Sequence, residues 1–128
     1  MCGFSGLVNF KGHSNDFSLD QKMDDALKRL YPRGPNQQDK WKDKYAYMVH
    51  SRLSIIDTSI AGKQPMVKYN KVVAYNGEIY NFKELRKKLI SNGYNFNSDS
   101  DCEVLIAGWD FWGKNFLKFI DGMFAFAI

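Results

Sequence analysis

The chain begins Met1-Cys2-Gly3-Phe4-Ser5-Gly6-Leu7-Val8-Asn9-Phe10, and the cysteine in its second position decides how the rest is interpreted. Removal of the initiator methionine, which a small second residue permits, would leave one residue with both a thiol and a free α-amino group. The thiolate is the attacking form of cysteine, and an α-amine with a pKa of roughly 7.7–8.0 can accept the thiol's proton. Residues 3–10 are predicted to form a buried strand that holds this end in place. The alternative is a cysteine that occupies position 2 by chance.

Composition limits the class of protein. A chain of 128 residues with 45% apolar and 25% charged residues is typical of one soluble globular domain. No apolar run reaches the roughly 18 residues of a membrane span, and a signal peptide is not evident, so we expect a cytoplasmic protein with reduced thiols. The net charge of +4 comes without a basic groove or stacking aromatics, which argues against nucleic-acid binding. Two cysteines and two histidines are too scattered for a structural zinc site.

Periodicity and turn residues predict the secondary structure. The expected elements, in chain order, are a helix over 19–30, a polar loop over 31–44, short strands over 45–49 and 53–56, a hairpin of strands 66–69 and 72–75, helices beginning after Asn81 and Ser100, and a strand over 122–128. Asn81 and Ser100 are each predicted to cap a helix, with a glutamate three residues on. Asn76-Gly77 is expected to end the second hairpin strand in a tight turn.

The basic cluster formed by Lys83 and residues 86–88 is expected to be a solvated helix face. The final strand is apolar and prone to β-structure, and a domain rarely ends on such an exposed edge. We therefore expect the chain to be part of something longer. Pairing of that strand with a second copy, to give a homodimer, stays open.

Several motifs occur along the chain in a fixed order. They are Met1-Cys2-Gly3-Phe4-Ser5-Gly6, His50-Ser51-Arg52-Leu53-Ser54-Ile55-Ile56-Asp57, Gly62-Lys63-Gln64-Pro65-Met66, Asn76-Gly77-Glu78-Ile79-Tyr80-Asn81-Phe82, Ser100-Asp101-Cys102-Glu103-Val104, and Gly122-Met123-Phe124-Ala125-Phe126-Ala127-Ile128. Together they resemble the N-terminal glutaminase domain of glutamine-hydrolysing asparagine synthetases, a class II glutamine amidotransferase domain. The resemblance runs over the whole chain.

The resemblance implies an α+β fold of the N-terminal-nucleophile hydrolase type, a four-layer αββα sandwich of antiparallel sheets that is incomplete at its C-terminal end. Residues 1–128 would form one incomplete glutamine amidotransferase domain, with the ATP-using synthetase domain absent. No cofactor is expected in this domain, because ATP and magnesium belong to the missing part. The implied enzyme activity is hydrolysis of L-glutamine to glutamate and ammonia, which feeds asparagine synthesis in the C-terminal synthetase domain.

The resemblance also implies roles for individual residues. Cys2 would be the nucleophile, and the Asn76 side-chain amide with the Gly77 N–H would stabilise the tetrahedral oxyanion. Without Cys2, an Asn-Gly pair would be interpreted as an ordinary turn.

Glutamine's own charges require partners. By resemblance, Arg52 would bind the α-carboxylate, and Asp101, with Glu78 nearby, would bind the α-ammonium. The remaining pocket residues, which would contribute mainly backbone groups, are Leu53, Ser54, Ile55 and Ile56. A surface ion pair for Arg52, and a helix-dipole role for Asp101, are the alternatives.

Two further functions stay open: the same glutaminase could serve amidation of another carboxylate, on a sugar or a secondary metabolite, or the chain could be an inactive fragment. The sequence also departs from the family in one loop, where His-Arg-Gly-Pro-Asp is replaced by Pro32-Arg33-Gly34-Pro35-Asn36. The loop's contacts are therefore in doubt.

Overall fold

The computed structural model describes residues 2–12 and 17–128. Within them, the strands are β1 (Gly3–Val8), β2 (Gln37–Lys42), β3 (Ala46–Arg52), β4 (Met66–Lys68), β5 (Lys71–Ile79) and β6 (Gly122–Ala127). The α-helices are α1 (Phe17–Leu30), α2 (Phe82–Ser91) and α3 (Asp101–Trp112). Short 3-10 segments follow at Tyr31–Arg33, Ile60–Gly62 and Gly113–Lys118.

The strands form two antiparallel sheets, with the orders β1-β3-β2 and β4-β5-β6. Helix α1 packs on the outer face of the first sheet, where Met23 meets Tyr47 and Val49. Helices α2 and α3 cover the outer face of the second sheet through a larger apolar cluster. The inner faces meet, since the His50 side chain of β3 bonds the Tyr75 carbonyl of β5. The αββα layer order predicted from the sequence is thus confirmed.

Alternation along the two central strands decides what lies between the sheets. On β3, Tyr47 and Val49 face α1, which turns His50 and Arg52 toward the second sheet. On β5, Tyr75 and Ile79 face the helices, which turns Asn76 and Glu78 toward the first sheet. Polar side chains from both sheets therefore meet at one end of the sandwich.

The expectation of a buried first strand is wrong for its second half. Gly3 is buried, but Leu7 and Val8 are 41% and 58% exposed. The cause is topology, because β1 lies at the edge of its sheet and pairs only with β3 among the described strands.

The prediction of an irregular loop over 31–44 is also wrong, because β2 lies within it. Lys40 and Lys42 of that strand pair with Asp24 and Asp20 of α1, at 2.8 and 2.9 Å. A strand whose helix-facing side chains are charged shows no apolar alternation, so hydrophobic periodicity does not reveal it.

The two strands predicted around His50-Ser51-Arg52 are in fact one, β3, and residues 53–56 lie outside any strand. The three polar residues are buried inside the strand because each has a partner there. The Ser51 hydroxyl, for example, donates to the Gly34 carbonyl at 2.8 Å.

Similarly, β5 does not end at Asn76-Gly77 but continues to Ile79, with Gly77 opposite Phe124.

The hairpin is confirmed, with Tyr69 and Asn70 at φ values of 52° and 55° in its turn. Ser100 caps α3, its Oγ accepting from the Cys102 N–H at 3.1 Å. Asn81 makes no side-chain cap; its amide instead bonds the Phe119 carbonyl and the Asp121 N–H, at 2.8 and 3.1 Å. In the part of the chain that the structure describes, no helix is long and apolar enough to cross a lipid bilayer.

Candidate active site

The Cys2 thiol lies at the start of β1, against the backbone that leaves β3. The Leu53 N–H donates to its sulfur at 3.3 Å, and the sulfur lies 3.6 Å from the Leu53 carbonyl. The Arg33 Nε donates to the Cys2 carbonyl at 2.9 Å. A Cβ on Gly3 would come within 2.9 Å of both Arg33 Cδ and Leu30 Cδ2, so glycine there lets the end of α1 and the following 3-10 turn pack closely against Gly3.

The second cysteine is unsuited to nucleophilic attack. Cys102 is fully buried in α3, and this burial, with the nearby Asp101 carboxylate, raises the pKa of its thiol well above the usual range. Its thiol therefore stays protonated, whereas Cys2 is only partly buried and opens on a cavity.

That cavity, of about 130 Å³, lies between the ends of the two sheets. Its lining contains nine of the ten residues proposed from the sequence, namely Cys2, Arg52, Leu53, Ile55, Ile56, Asn76, Gly77, Glu78 and Asp101. Ser54 is the exception and lies outside the lining. Its N–H donates instead to Asn36 Oδ1 at 3.0 Å, on the other side of the loop.

Arg52 is buried, with 5% of its surface exposed, and forms no ion pair with a described residue. Its Nη1 donates to the Ser59 carbonyl at 2.9 Å and to Gln37 Oε1 at 3.2 Å, and its Nη2 donates to the Asp57 carbonyl. A guanidinium has five N–H groups, so this cradle fixes the side chain and still leaves donors for a ligand. The surface ion pair considered above does not describe this residue.

Asp101 is the first residue of α3 and is 5% exposed. One carboxylate oxygen, Oδ2, accepts from the Tyr75 hydroxyl at 2.7 Å and from the Ile79 N–H at 3.1 Å. Burial, together with the Asp101 charge, raises the pKa of Tyr75, so that hydroxyl stays protonated and donates. Asp101 thus places a fixed carboxyl group in the same cavity lining as the Arg52 guanidinium.

Asn76 and Gly77 lie on β5 where it borders the cavity. Asn76 Oδ1 is buried without a hydrogen-bond partner among the described residues. Alternate residues of a strand direct their N–H groups to the same edge, so the Gly77 N–H shares an edge with those of Tyr75 and Ile79. Those two are taken by Gln64 and Asp101 side chains, which leaves Gly77 between them. A Cβ on Gly77 would overlap the Met123 carbonyl and Phe124, so only glycine fits.

Asp57 connects the two charged sides of the cavity. Its carboxylate accepts from the Ser59 N–H at 2.7 Å and the Asp99 N–H at 2.8 Å, while its carbonyl accepts from Arg52. Burial opposes its ionisation, but these hydrogen bonds and the Arg52 charge more than offset burial and lower the pKa of Asp57.

Sequence reasoning gave no role at the site to Arg33 or to five residues of the cavity lining, namely Asp57, Gln64, Tyr75, Ser100 and Met123. Each lay within, or directly beside, a quoted motif, but only the spatial contacts reveal what it holds. The loop over residues 32–36 differs from the family motif at Pro32 and Asn36, and both residues have a structural place in it. Asn36 supplies the oxygen that accepts from Ser54, and Pro32 lies in the 3-10 turn that presents Arg33 to Cys2.

Comparison with known proteins identifies the family of this chain. A family model described as "Glutamine amidotransferase domain" matches residues 1–128. Asparagine synthetase [glutamine-hydrolyzing] 3 of Bacillus subtilis (strain 168) is 36% identical over 132 residues, covering 100% of this chain and 21% of that protein. Asparagine synthetase B [glutamine-hydrolyzing] of Escherichia coli (strain K12) is 37% identical over 130 residues, covering 100% of this chain and 23% of that protein.

The plant protein asparagine synthetase [glutamine-hydrolyzing] of Brassica oleracea is 36% identical over 131 residues, with 100% and 21% coverage. The chain thus spans about a fifth of the length of these relatives. One cavity of this αββα sandwich is lined by a thiol, a guanidinium and a carboxylate, and the family model matches the chain from end to end. This chain belongs to the glutamine amidotransferase domain family.

Proposed function

We propose that this chain hydrolyses the side-chain amide of L-glutamine to glutamate and ammonia through a thioester on Cys2. The observation that supports this most directly is the composition of the cavity wall. A thiol, a buried guanidinium and a buried carboxylate, those of Cys2, Arg52 and Asp101, line the same space of about 130 Å³. This is the set of groups that attack on the amide of a free amino acid requires.

The attack uses both groups of the processed terminus. Once Met1 is removed, the α-amine of Cys2 accepts the thiol proton and the sulfur adds to the amide carbon. The amide oxygen becomes an oxyanion, for which the Asn76 amide and the Gly77 N–H are the donors. Each such donor contributes roughly 2.7–4 kcal/mol to the transition state. The α-ammonium of Cys2 formed in this way then gives its proton to the amide nitrogen, which leaves as ammonia when the C–N bond breaks. Water hydrolyses the thioester to release glutamate and restore the Cys2 thiol.

Recognition of the amino-acid end divides between the two sides of the cavity. The free N–H groups of Arg52 bind the α-carboxylate, and Asp101, with Glu78, binds the α-ammonium. Leu53, Ile55 and Ile56 close the cavity around the aliphatic part of glutamine. A substrate that lacks either charge would leave a buried ion unpaired, which is costly.

The ammonia serves a synthetase domain of the parent protein. The relatives' names, which describe glutamine-hydrolyzing asparagine synthetases, support asparagine formation there. We propose that ATP and magnesium bind in that domain and that residues 1–128 need no cofactor. We place this activity in the cytoplasm.

The test is glutamine hydrolysis by the complete native protein and two cysteine variants. We expect the wild type and Cys102→Ala to release glutamate and ammonia, and Cys2→Ala to lose roughly 10⁴-fold or more in kcat. Mass spectrometry should find the active protein without Met1. A glutamine-analogue electrophile should label Cys2, and L-glutamine should slow the labelling.

Undiminished hydrolysis by Cys2→Ala would overturn the assignment of the nucleophile. A fully active protein that retains Met1 would overturn the assignment of the base. Labelling of Cys2 without hydrolysis of any glutamine would identify a binding site that is catalytically inactive.

A further inference from the structure

The edge of β5 that faces the cavity lacks a strand partner at Tyr75, directly before Asn76-Gly77. Strand β4 pairs with β5 only from Lys68↔Lys71 to Met66↔Val73. Continued in the same register, the next hydrogen-bonded pair would be Gln64 with Tyr75. Strand β4 begins only at Met66, so Gln64 lies outside it and this backbone pair does not form.

Two side chains replace the missing strand at this position. The Tyr75 N–H donates to Gln64 Oε1 at 2.7 Å, and the Tyr75 carbonyl accepts from His50 Nε2 at 2.9 Å. Both backbone groups are therefore satisfied, although no strand lies opposite them. Tyr75 is also held through its hydroxyl by Asp101, at 2.7 Å. Three side chains therefore fix Tyr75, the residue directly before Asn76-Gly77.

His50 bonds across the sandwich rather than along its own sheet. It is completely buried on β3, and its bond to Tyr75 joins the sheet that holds Cys2 to the sheet that holds Asn76 and Gly77. A carbonyl oxygen only accepts, so Nε2 must bear the proton. In the neutral ring Nδ1 then carries a lone pair, and this atom is buried without a partner among the described residues. Because His50 does not line the cavity, its contact with the site is indirect.

We propose that His50 and Gln64 are positioning residues that hold β5 in register with Cys2, so that the Asn76 amide and the Gly77 N–H are aimed at the oxyanion. A misplacement of about 1 Å at a reacting group can cost roughly 100-fold in rate. Removal of the His50 bond therefore acts on the transition state more than on glutamine binding. This role rests on the proposed function.

The test compares His50→Leu, His50→Gln and Val49→Ala in the complete native protein. His50→Leu removes the donor and should lower kcat for glutamine roughly 10- to 100-fold, with KM changed by less than about threefold. His50→Gln offers an amide N–H at similar reach and should recover most of that loss. Val49→Ala, on the opposite face of β3, removes buried apolar volume without touching Tyr75 and should leave kcat unchanged.

Alkylation of Cys2 by iodoacetamide separates positioning from collapse of the site. This reaction displaces iodide at a saturated carbon and forms no oxyanion, so its rate should be the same in wild type and His50→Leu. An alkylation rate that falls in step with kcat would show that Cys2 itself has moved and would overturn the proposal. A wild-type kcat in folded His50→Leu would overturn it equally.

A measurement on the wild type covers the case in which His50→Leu does not fold. Nitrogen-15 NMR of the His50 ring at pH 7 should show the neutral tautomer with the proton on Nε2. A proton on Nδ1 is incompatible with the bond to Tyr75 and overturns the role, whatever the activity. Absence of glutaminase activity in a wild type with the Nε2–H tautomer would instead sink the proposed function.

Discussion

At the scale of single residues, the contacts around Arg52 explain why a glycine precedes the Lys63-Gln64-Pro65 turn. Gly62 is buried, and a Cβ built on it would overlap Arg52 Nη2. The guanidinium is already fixed by the carbonyls of Asp57 and Ser59. It cannot yield to a methyl group without leaving these acceptors.

Gly62→Ala should therefore weaken glutamine binding. Under the proposed function Arg52 binds the α-carboxylate, which does not react, so we expect its displacement to raise KM roughly tenfold and to leave kcat within about threefold. Steady-state glutaminase kinetics measure both constants. The matched control is Lys63→Ala at the exposed neighbouring position, which should leave both constants unchanged. A fall in kcat at constant KM would show that Gly62 acts elsewhere.

The sequence allowed most of the cavity lining to be predicted, because the motifs place Cys2, Arg52, Asn76 and Asp101 by type and order. It did not reveal how those residues are held. The acceptors of Arg52 are mainly backbone carbonyls, and a carbonyl has no sequence signature. Ser54 belongs to the same motif but is not in the cavity lining, and its N–H donates instead to Asn36 Oδ1.

At the scale of the elements, the turn that precedes α3 is organised by a side chain inside the helix. The Glu103 carboxylate accepts from the N–H groups of Asn97 and Ser98 and from the Ser98 hydroxyl, at 3.0, 2.8 and 2.6 Å. It also pairs with Lys68 of β4 at 2.5 Å. The sequence predicted a capping box in which Glu103 would reach back to Ser100. The structure keeps the Ser100 cap but directs the glutamate to the turn.

Arg86 of α2 also holds this turn through hydrogen bonds to its backbone. It was predicted to lie on a solvated basic face, but it donates to the Ser98 and Ser100 carbonyls at 2.7 and 3.0 Å. Helical periodicity predicts which face of α2 carries Arg86, but it does not show that a polar loop lies against that face. Both errors concern long side chains that bond irregular backbone, which no periodic pattern encodes.

We expect Glu103→Gln to destabilise the fold by about 2 kcal/mol at pH 7, because an amide offers fewer acceptors to the donors that surround it. Although burial opposes ionisation, the bonds from Lys68, Ser98 and Asn97 lower the pKa of Glu103 below its ordinary 4.5. The folded state therefore binds this proton less readily than the unfolded chain. The stability from Glu103 is present above about pH 4.5 and is lost as the pH falls below it.

Urea denaturation of wild type and Glu103→Gln at pH 7 and pH 4 measures the effect. The difference between the two proteins should shrink at the lower pH. Asp25→Asn, which removes an exposed pair with Lys28, is the control and should change stability little at either pH. A difference that does not depend on pH would mean that the charge of Glu103 contributes nothing.

At the scale of the whole molecule, the cavity lies on the boundary between the two halves of the sandwich. Arg52 belongs to the sheet that α1 covers, and Cys2 directly precedes the first strand of that sheet. Asn76 and Glu78 belong to the sheet that α2 and α3 cover. Asp101 joins the second half through Tyr75 and Ile79. A ligand with charges of both signs therefore contacts both halves at once.

Glutamine should consequently stabilise the folded molecule as a unit. In Cys2→Ala, which cannot turn it over, L-glutamine at 100 times its Kd should add about 2.7 kcal/mol to the free energy of unfolding. Denaturant titration, with and without ligand, measures this shift.

A glutamine analogue without the α-ammonium should stabilise far less, because it leaves Asp101 unpaired. When Arg52→Ala is combined with Cys2→Ala, the same L-glutamine concentration should give little stabilisation, since the carboxylate has lost its partner. Equal stabilisation of Cys2→Ala by both ligands would mean that the amino-acid end binds outside this cavity.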